Sequence, residues 1–289
     1  MKVAVVVHIG KNLGGGPAEL RLALKDAGID EPDWHEAESS KKAGKAARHA
    51  IKAGAEVLFV WGGDGTVQRV ADAVAGTDVA LAILPAGTAN LLAHHLGIPK
   101  DIQDCVQVGL GPNRRRIDLG VINGEHFAVM AGIGVDALLM HHAKKGLKSR
   151  FGRLAYLRAG AQAIQMPHFE ATLRVGGKKW LRGPASCVLV GNLGKLFGGI
   201  TVFDHARDDD GRLELGVMTG DGTLAWARAL TRTLFGKPGL SPFLELTAGR
   251  KITVKLDRPM PYEVDGSVRD AAATFEVSVA RKALTVCVP

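Results

Sequence analysis

Cysteine is scarce in this sequence, and the little there is excludes several roles. Cys105, Cys187 and Cys287 are odd in number and far apart in 289 residues. Neither a disulfide framework nor a metal or redox pair can be drawn from them. Each sits in an apolar setting, as expected of buried free thiols in a reducing compartment. Long apolar runs are missing too. The first, Val3-Ala4-Val5-Val6-Val7, is too short for a signal segment and has no cleavage site after it. No run reaches the roughly 20 residues that span a bilayer. The expected location is therefore cytoplasmic, and any membrane contact peripheral. No aromatic stacking platform accompanies the basic residues, which argues against a nucleic-acid partner. Low-complexity linkers and internal repeats are also absent.

What is present is ordinary in bulk and particular in detail. Hydrophobic residues make up 46% and charged residues 23%, values of a soluble globular protein. The length suggests about two domains or one large one. The 37 glycines point to tight turns and close backbone approaches. The net charge of +8 favours an anionic partner such as a nucleotide or an acidic membrane surface, although solubility alone would also account for it.

One stretch organises the chain: Val57-Leu58-Phe59-Val60-Trp61-Gly62-Gly63-Asp64-Gly65-Thr66. A buried strand ends in three glycines around one aspartate, and helical spacing resumes from Val67. Glycine lets backbone approach a ligand unhindered, and successive N–H groups beside a helix N-terminus favour an anion. This suggests phosphate binding. The P-loop is excluded because no Lys follows the last glycine. An ordinary strand-to-helix turn is the alternative.

Around this stretch, residues 3–7 and 79–84 read as further buried strands, and a weak strand lies near Trp34. Helices are expected over 18–27, over 41–53 with Ser39 or Ser40 as cap, and through Leu91, Leu92 and Leu96. Pro85-Ala86-Gly87-Thr88-Ala89-Asn90 follows the 79–84 strand. Alternating strands and helices imply a mainly parallel sheet, with ligands outside the carboxyl ends of its strands. Both glycine loops lie at that edge. From about Arg116 the texture changes. Strands are expected at 117–123, 125–131, 169–175, 186–190, 213–218, 251–256 and 274–279, with helical pattern at 152–166 and 224–235. This half reads as an antiparallel β domain with inserted helices.

The two glycine blocks resemble the diacylglycerol kinase catalytic family, which includes bacterial lipid kinases and sphingosine kinases. The resemblance continues through Ile117-Asp118-Leu119-Gly120, Ala131-Gly132-Ile133-Gly134-Val135-Asp136-Ala137, Gly152-Arg153-Leu154-Ala155-Tyr156, Asp210-Gly211-Arg212-Leu213 and Val264-Asp265-Gly266. It implies an N-terminal Rossmann-like α/β nucleotide domain over 1–118. A C-terminal antiparallel β-sandwich domain over 119–289 is implied with it, its end returning to the first domain. The active site is expected between them. The implied activity is transfer of the ATP γ-phosphate to a hydroxyl of diacylglycerol or a related lipid, as in phospholipid biosynthesis.

By the same resemblance, Gly62, Gly63, Asp64, Gly65, Thr66, Gly87, Thr88 and Asn90 bind the nucleotide. Ser40 stands where the family has a nucleotide-contacting threonine, and a plain helix cap is its other reading. Asp64 could hold Mg²⁺ on the phosphates, act as base, or only brace its turn. A structural Mg²⁺ is implied at the Asp210 carboxylate and the main chains of Arg207 and Arg212; a solvated turn is the alternative. Asp118 and Asp136 match positions near the cleft, with structural hydrogen bonding equally open to them. The basic run 144–153 could dock on an anionic bilayer or simply be solvated, and His141 and His142 beside it read as surface residues. A homodimer is left open.

Two departures matter. The family's Asn-Glu pair after the first loop is Gln68-Arg69 here. Its Asp-Gly-Glu, whose Glu is the usual proton acceptor, is Asp265-Gly266-Ser267. A serine hydroxyl needs an activating partner to serve as base. Asp265 is expected to take the role, with Asp64 or no base as alternatives. A nucleotide- or lipid-binding protein with little turnover and an NAD kinase are the rival readings.

Overall fold

A computed structural model describes residues 1–134, 168–194, 201–219 and 244–289. The basic run 144–153, Val135, Asp136, Ala137, His141, His142 and the helical patterns at 152–166 and 224–235 lie outside the described residues. The chain divides into two compact units, Met1–Leu119 with Arg281–Pro289, and Gly120–Ala280.

The first unit is built on a parallel sheet. Strands β1 (Val3–His8), β2 (Asp33–Ala37), β3 (Val57–Gly62) and β4 (Ala80–Pro85) lie in the order β2-β1-β3-β4. Parallel neighbours require crossovers. These are helices α1 (Pro17–Asp26), α2 (Ser40–Lys52) and α3 (Asp64–Val74), with α4 (Leu91–His95) and α5 (Ile102–Leu110) following β4. The β-branched and aromatic residues of β1 and β3 are buried almost throughout, because in such a sheet both faces are covered. Ala43, Ala47 and Ala50 form the buried face of α2. A Cβ on Gly44 would lie 2.9 Å from the Arg69 carbonyl oxygen, so that glycine lets α2 and α3 cross closely.

The helix α5 has no counterpart among the sequence expectations. Its start is capped by the Asp101 side chain, which accepts the Asp104 N–H at 3.2 Å. Its buried stripe is Ile102, Cys105 and Val106.

The second unit is antiparallel. Its strands are β5 (Arg114–Ile122, which enters from the first unit), β6 (Glu125–Phe127), β7 (Met130–Gly134), β8 (Phe169–Val175), β9 (Lys178–Ala185), β10 (Cys187–Gly191), β11 (Leu213–Met218), β12 (Leu244–Gly249), β13 (Lys251–Val264) and β14 (Ser267–Cys287). They run in the order β12-β11-β10-β7-β13-β14, with β8 on β13 and β9 on β8. The register of β13 shifts between Lys255 and Met260. Its first part therefore pairs with β8 and its last part with β7, as when one strand serves two layers of a sandwich. The core contains Phe127, Ile133, Phe169, Leu215, Val254 and Phe275.

The strands β9 and β12 were not among the expected strands. The sequence of β9, Lys-Lys-Trp-Leu-Arg-Gly-Pro-Ala, alternates poorly and carries Gly and Pro, which an edge strand tolerates.

The end of β14 belongs to the first unit, where Thr285 and Val286 pair in parallel with Ala80 and Leu81. Buried Asp118 secures this segment by accepting the Lys282 N–H at 2.6 Å. The three cysteines are buried, and burial pushes the Cys105 and Cys287 thiols up to about 12 and about 11. Neither supplies a thiolate. Among the described residues no helix is long and apolar enough to cross a membrane.

Candidate functional site

The two glycine blocks meet in the first unit. The first begins where β3 ends, at Gly62. The expected open loop is shorter than its three glycines suggest. Gly63 is the N-cap, and α3 starts at Asp64, so Gly65 and Thr66 already form its first turn. Thr66 and Val67 donate their N–H groups to the Gly63 carbonyl at 2.8 and 3.0 Å. A Cβ on Gly62 would stand 2.5 Å from the Thr66 Cβ. That position must therefore be glycine for the turn to close.

The second block, after β4, lies against the first. A Cβ on Gly87 would sit 2.4 Å from the Gly63 Cα, and one on Gly63 would sit 3.1 Å from the Gly87 Cα. Backbone faces backbone, with no space for a side chain. Asn90 shapes this loop. It adopts the left-handed conformation (φ +47°). Its Oδ1 accepts the Gly87 N–H at 2.9 Å, and its Nδ2 donates to the Pro85 and Gly87 carbonyls at 3.1 and 2.9 Å. Asp64 ties the loops together: its carboxylate accepts the N–H groups of Asn90 at 2.9 Å and Leu91 at 2.5 Å. The Asp64 side chain thus serves the start of α4 as a cap would. Thr88 is exposed at the tip.

Ser40 joins this site because Ser39 takes the capping job. Ser39 accepts the Lys42 N–H at 3.3 Å, which leaves the Ser40 hydroxyl to meet the Thr66 hydroxyl at 3.2 Å. Lys11 is a residue that spacing did not single out. Its Cε lies 4.0 Å from where a Cβ on Gly63 would be, and its carbonyl accepts the Trp61 indole N–H at 3.0 Å. Lys11 follows β1 and so leaves the sheet at the same carboxyl edge as the glycine loops. Burial first, then the Lys11 charge, holds the His8 imidazole below its ordinary value. A backbone cradle beside an ammonium fits the phosphates of a nucleotide.

In the second unit, Asp265 is 7% exposed, at φ +43° in the turn between β13 and β14. Its Oδ2 accepts the Ala128 N–H at 2.8 Å, and its Oδ1 accepts those of Val129 and Met130, each at 2.9 Å. Asn192 holds the same segment, donating from its side chain to the Ala128 carbonyl at 2.9 Å. Expected as the base, Asp265 is held here as an acceptor of amide protons. Both its oxygens already take amide protons, and it anchors residues 128–130. Ser267 starts β14, partly exposed, opposite Val264.

The carboxylate that shares this turn is Glu263, at 2% exposure, which accepts the Gly266 N–H. No sequence signal marks Glu263, because it stands two residues before the Asp-Gly pair that carries the resemblance.

The acidic turn before β11 carries Arg207, Asp210 and Arg212. Asp210 Oδ1 accepts the Arg212 N–H at 2.9 Å, and Arg207 pairs with Asp209 at 3.2 Å. A cavity of about 450 Å³ adjoins it, lined by Phe203, His205, Asp210, Arg212 and Glu214 among others. Burial and then the neighbouring Asp210 raise the Glu214 carboxyl. No group of three or more His, Cys, Asp or Glu side chains gathers for a metal among the described residues. One carboxylate with two carbonyls, the donor set expected of a structural Mg²⁺, does not need such a group. The Asp210–Glu214 repulsion is one that a cation would relieve.

Residues 10–122 match the diacylglycerol kinase catalytic domain. Residues 129–288 match the YegS C-terminal NAD kinase beta sandwich-like domain. A Pseudomonas aeruginosa protein called "probable lipid kinase YegS-like" is 31% identical over 270 residues, 89% of this chain and 87% of that one. A diacylglycerol kinase of Bacillus subtilis is 26% identical over 253 residues, 86% of this chain and 83% of that one.

Among solved structures, a diacylglycerol kinase from Bacillus anthracis superposes with TM-score 0.78 at 20% identity, covering 100% of this chain and 97% of that one. An NAD kinase from Archaeoglobus fulgidus, solved with ATP, shares the fold more distantly. Its TM-score is 0.56 at 12% identity, over 99% of this chain and 93% of that one. Both halves of the sequence are matched in chain order by the two domains of one architecture, and the chain belongs to the YegS-like lipid kinase family built on the diacylglycerol kinase catalytic domain.

Proposed function

We propose that this lipid kinase transfers the γ-phosphate of ATP to a hydroxyl of diacylglycerol or a closely related lipid. The observation that carries the reading is the pair of glycine loops, Gly62-Gly63 and Gly87, packed backbone against backbone beneath Lys11. Such a surface offers N–H groups and one positive charge, which suits a polyphosphate. Gly62, Gly63, Gly65, Thr66, Gly87 and Thr88 would meet the nucleotide, with Lys11 neutralising charge. Ser40 would orient Thr66, and Asn90 would shape the loop without touching ATP.

In the transfer, the lipid oxygen bonds to Pγ as the bond from Pγ to the β,γ-bridging oxygen breaks, ADP leaves, and the hydroxyl proton departs. Catalysis of this kind rests on positioning and charge neutralisation. Asp64 is the half-buried carboxylate at the loops, and it is the group we assign to receive that proton or to hold Mg²⁺ on the phosphates. Mg²⁺ at Asp210, Arg207 and Arg212 would supply structural charge balance. Contact with the membrane would be peripheral.

The test is a labelled-ATP assay over a panel of dispersed lipids, with NAD as control. Label is expected in a lipid with a free hydroxyl and not in NAD; label in NAD alone overturns the reading. A binding protein with little turnover is the second reading, favoured by Ser267 and by the occupied Asp265 carboxylate. On that reading Ser267→Glu raises lipid labelling by part of the about 10²–10⁴-fold that a positioned base contributes. On the first reading it does not.

A further inference from the structure

We propose that the outer face of the β9-β8-β13 sheet docks on an anionic lipid surface. The inference rests on the lipid-kinase reading, because it names the surface by which that enzyme reaches its substrate. Strand register defines the face. Core-facing Leu173, Val254 and Leu181 alternate with outward residues, and the pairing sets Lys179 beside Arg174, Arg174 beside Thr253, Arg182 beside Thr172, and Thr172 beside Lys255. Lys251 continues the row along β13. Arg174, Lys179, Arg182, Lys251 and Lys255 are all exposed. Arg174 donates to the Gly177 carbonyl at 3.1 Å; among the described residues none of the five has an acidic partner. The acids on this face are Glu170, Glu276 and, two residues beyond Lys255 on β13, Asp257; Glu276 is engaged by the Thr253 hydroxyl at 3.1 Å and Asp257 pairs with Arg258 at 3.6 Å.

Two facts separate this patch from an ordinary solvated surface. Lysines on an edge strand block edge-to-edge pairing, which would explain Lys179 and Arg182 on β9. It does not explain Arg174 on β8 or Lys255 on β13, which are interior strands. Lys179 directly opposite Arg174 also costs stability, since like charges across a strand pair repel. A sheet face presents its charges in one layer, as an extended planar partner requires. Cations near an anionic bilayer each strengthen binding by about fivefold.

The test uses the full chain with vesicles of phosphatidylcholine, with and without phosphatidylglycerol. The fourfold variant Arg174→Glu, Lys179→Glu, Arg182→Glu, Lys255→Glu should lose about 100-fold or more of its affinity for the anionic vesicles. Wild-type binding should fade as ionic strength rises past about 0.1 M, where screening acts within about 10 Å. A control applies the same charge change elsewhere, with Lys41→Glu, Lys42→Glu, Lys45→Glu and Lys52→Glu on the exposed side of α2; it should keep most of the binding.

The fourfold variant exchanges one like-charged pair at 174 and 179 for another, so its melting temperature should stay close to that of wild type. If it does not fold, the neutral Lys179→Gln, Lys255→Gln variant reads the same loss on a smaller scale. Equal loss in the sheet and α2 variants overturns the proposal, as does unchanged binding in the sheet variants or equal binding to neutral vesicles. It is likewise overturned if the sheet variants lose DNA binding while vesicle binding stands. Label transfer to detergent-dispersed lipid is measured beside these. Its absence would sink the kinase reading without touching the surface, and its persistence in the sheet variant separates docking from chemistry.

Discussion

Two aspartate–glycine turns look alike in the sequence and do different work in the molecule. Asp64 opens a helix and takes two amides from the neighbouring loop while staying half-buried. Asp265 sits in a strand turn, takes three amides from one segment, and is almost sealed. An acid can thus be required by a motif for its acceptor capacity rather than its basicity. What separates a brace from a reagent is whether lone pairs remain within reach of a substrate.

The largest effect is expected from removing the sealed acid. Asp265→Ala leaves three buried N–H groups without their acceptor, at about 1–3 kcal/mol each where no water replaces it. We expect a loss of about 3–6 kcal/mol in urea unfolding, near the whole margin of an ordinary domain. A loss under about 1 kcal/mol, with turnover abolished, would return Asp265 to the chemistry.

Asp64→Asn should show the opposite balance. Two amides keep one acceptor oxygen, so stability should fall by only about 1–2 kcal/mol. Turnover should drop by about 10²–10⁴-fold if Asp64 receives the proton. Single-turnover rates at saturating ATP separate this from weaker nucleotide binding, and full activity would remove Asp64 from the mechanism.

The loop contact itself can be graded. Gly87→Ala forces a Cβ to 2.4 Å from the Gly63 Cα and should cost about 1–3 kcal/mol, with ATP affinity lost alongside. Gly63→Ala meets Gly87 at 3.1 Å and should cost less. If the order of the two melting temperatures reverses, the backbone-to-backbone contact is not what demands glycine there. Ser40→Ala removes one hydroxyl pair and should cost about 0.5–1.5 kcal/mol, with ATP affinity falling a few fold.

The smallest effect is a pH dependence at Glu214. Its carboxyl is raised in the fold, so the native state holds a proton that the unfolded chain has released. Its contribution to stability is therefore lost as pH rises from the ordinary carboxylate range through the raised value. Mg²⁺ should flatten that slope, and Asp210→Ala should abolish the Mg²⁺ effect in thermal melts without nucleotide.

Much of the first unit was legible because its signals are local. Continuous apolar runs become β1, β3 and β4, and glycines mark the turns between strand and helix. Ser40 reads from sequence either as a helix cap or as a nucleotide contact, since whether Ser39 or Ser40 caps α2 is decided by backbone geometry, and its hydroxyl contact with Thr66 has no sequence signal. Lys11 has no motif around it and joins the site only through strand order. The bracing contacts of Asp265 were not legible, because a sequence shows a carboxylate but not the amides of residues 128–130 that it accepts. The strand β9 alternates poorly because its pairing with β8 shifts register between Leu173 and Arg174. In β13, one run of residues pairs with two different partners, and no periodicity announces where the change falls.

The shared strand β14 also bears on the order in which the chain can be finished during synthesis. Residues 281–287 supply the parallel partner of β4 and the Asp118–Lys282 bond. Every residue of the first unit up to Leu119 leaves the ribosome before any residue of the second, yet that unit lacks a strand until residues 281–287 are made. The second unit, made in the middle, can close first. During translation the outer side of β4 stands bare for more than half the chain, and a ribosome that stalls late releases a nascent protein whose nucleotide loops are present on an unfinished sheet.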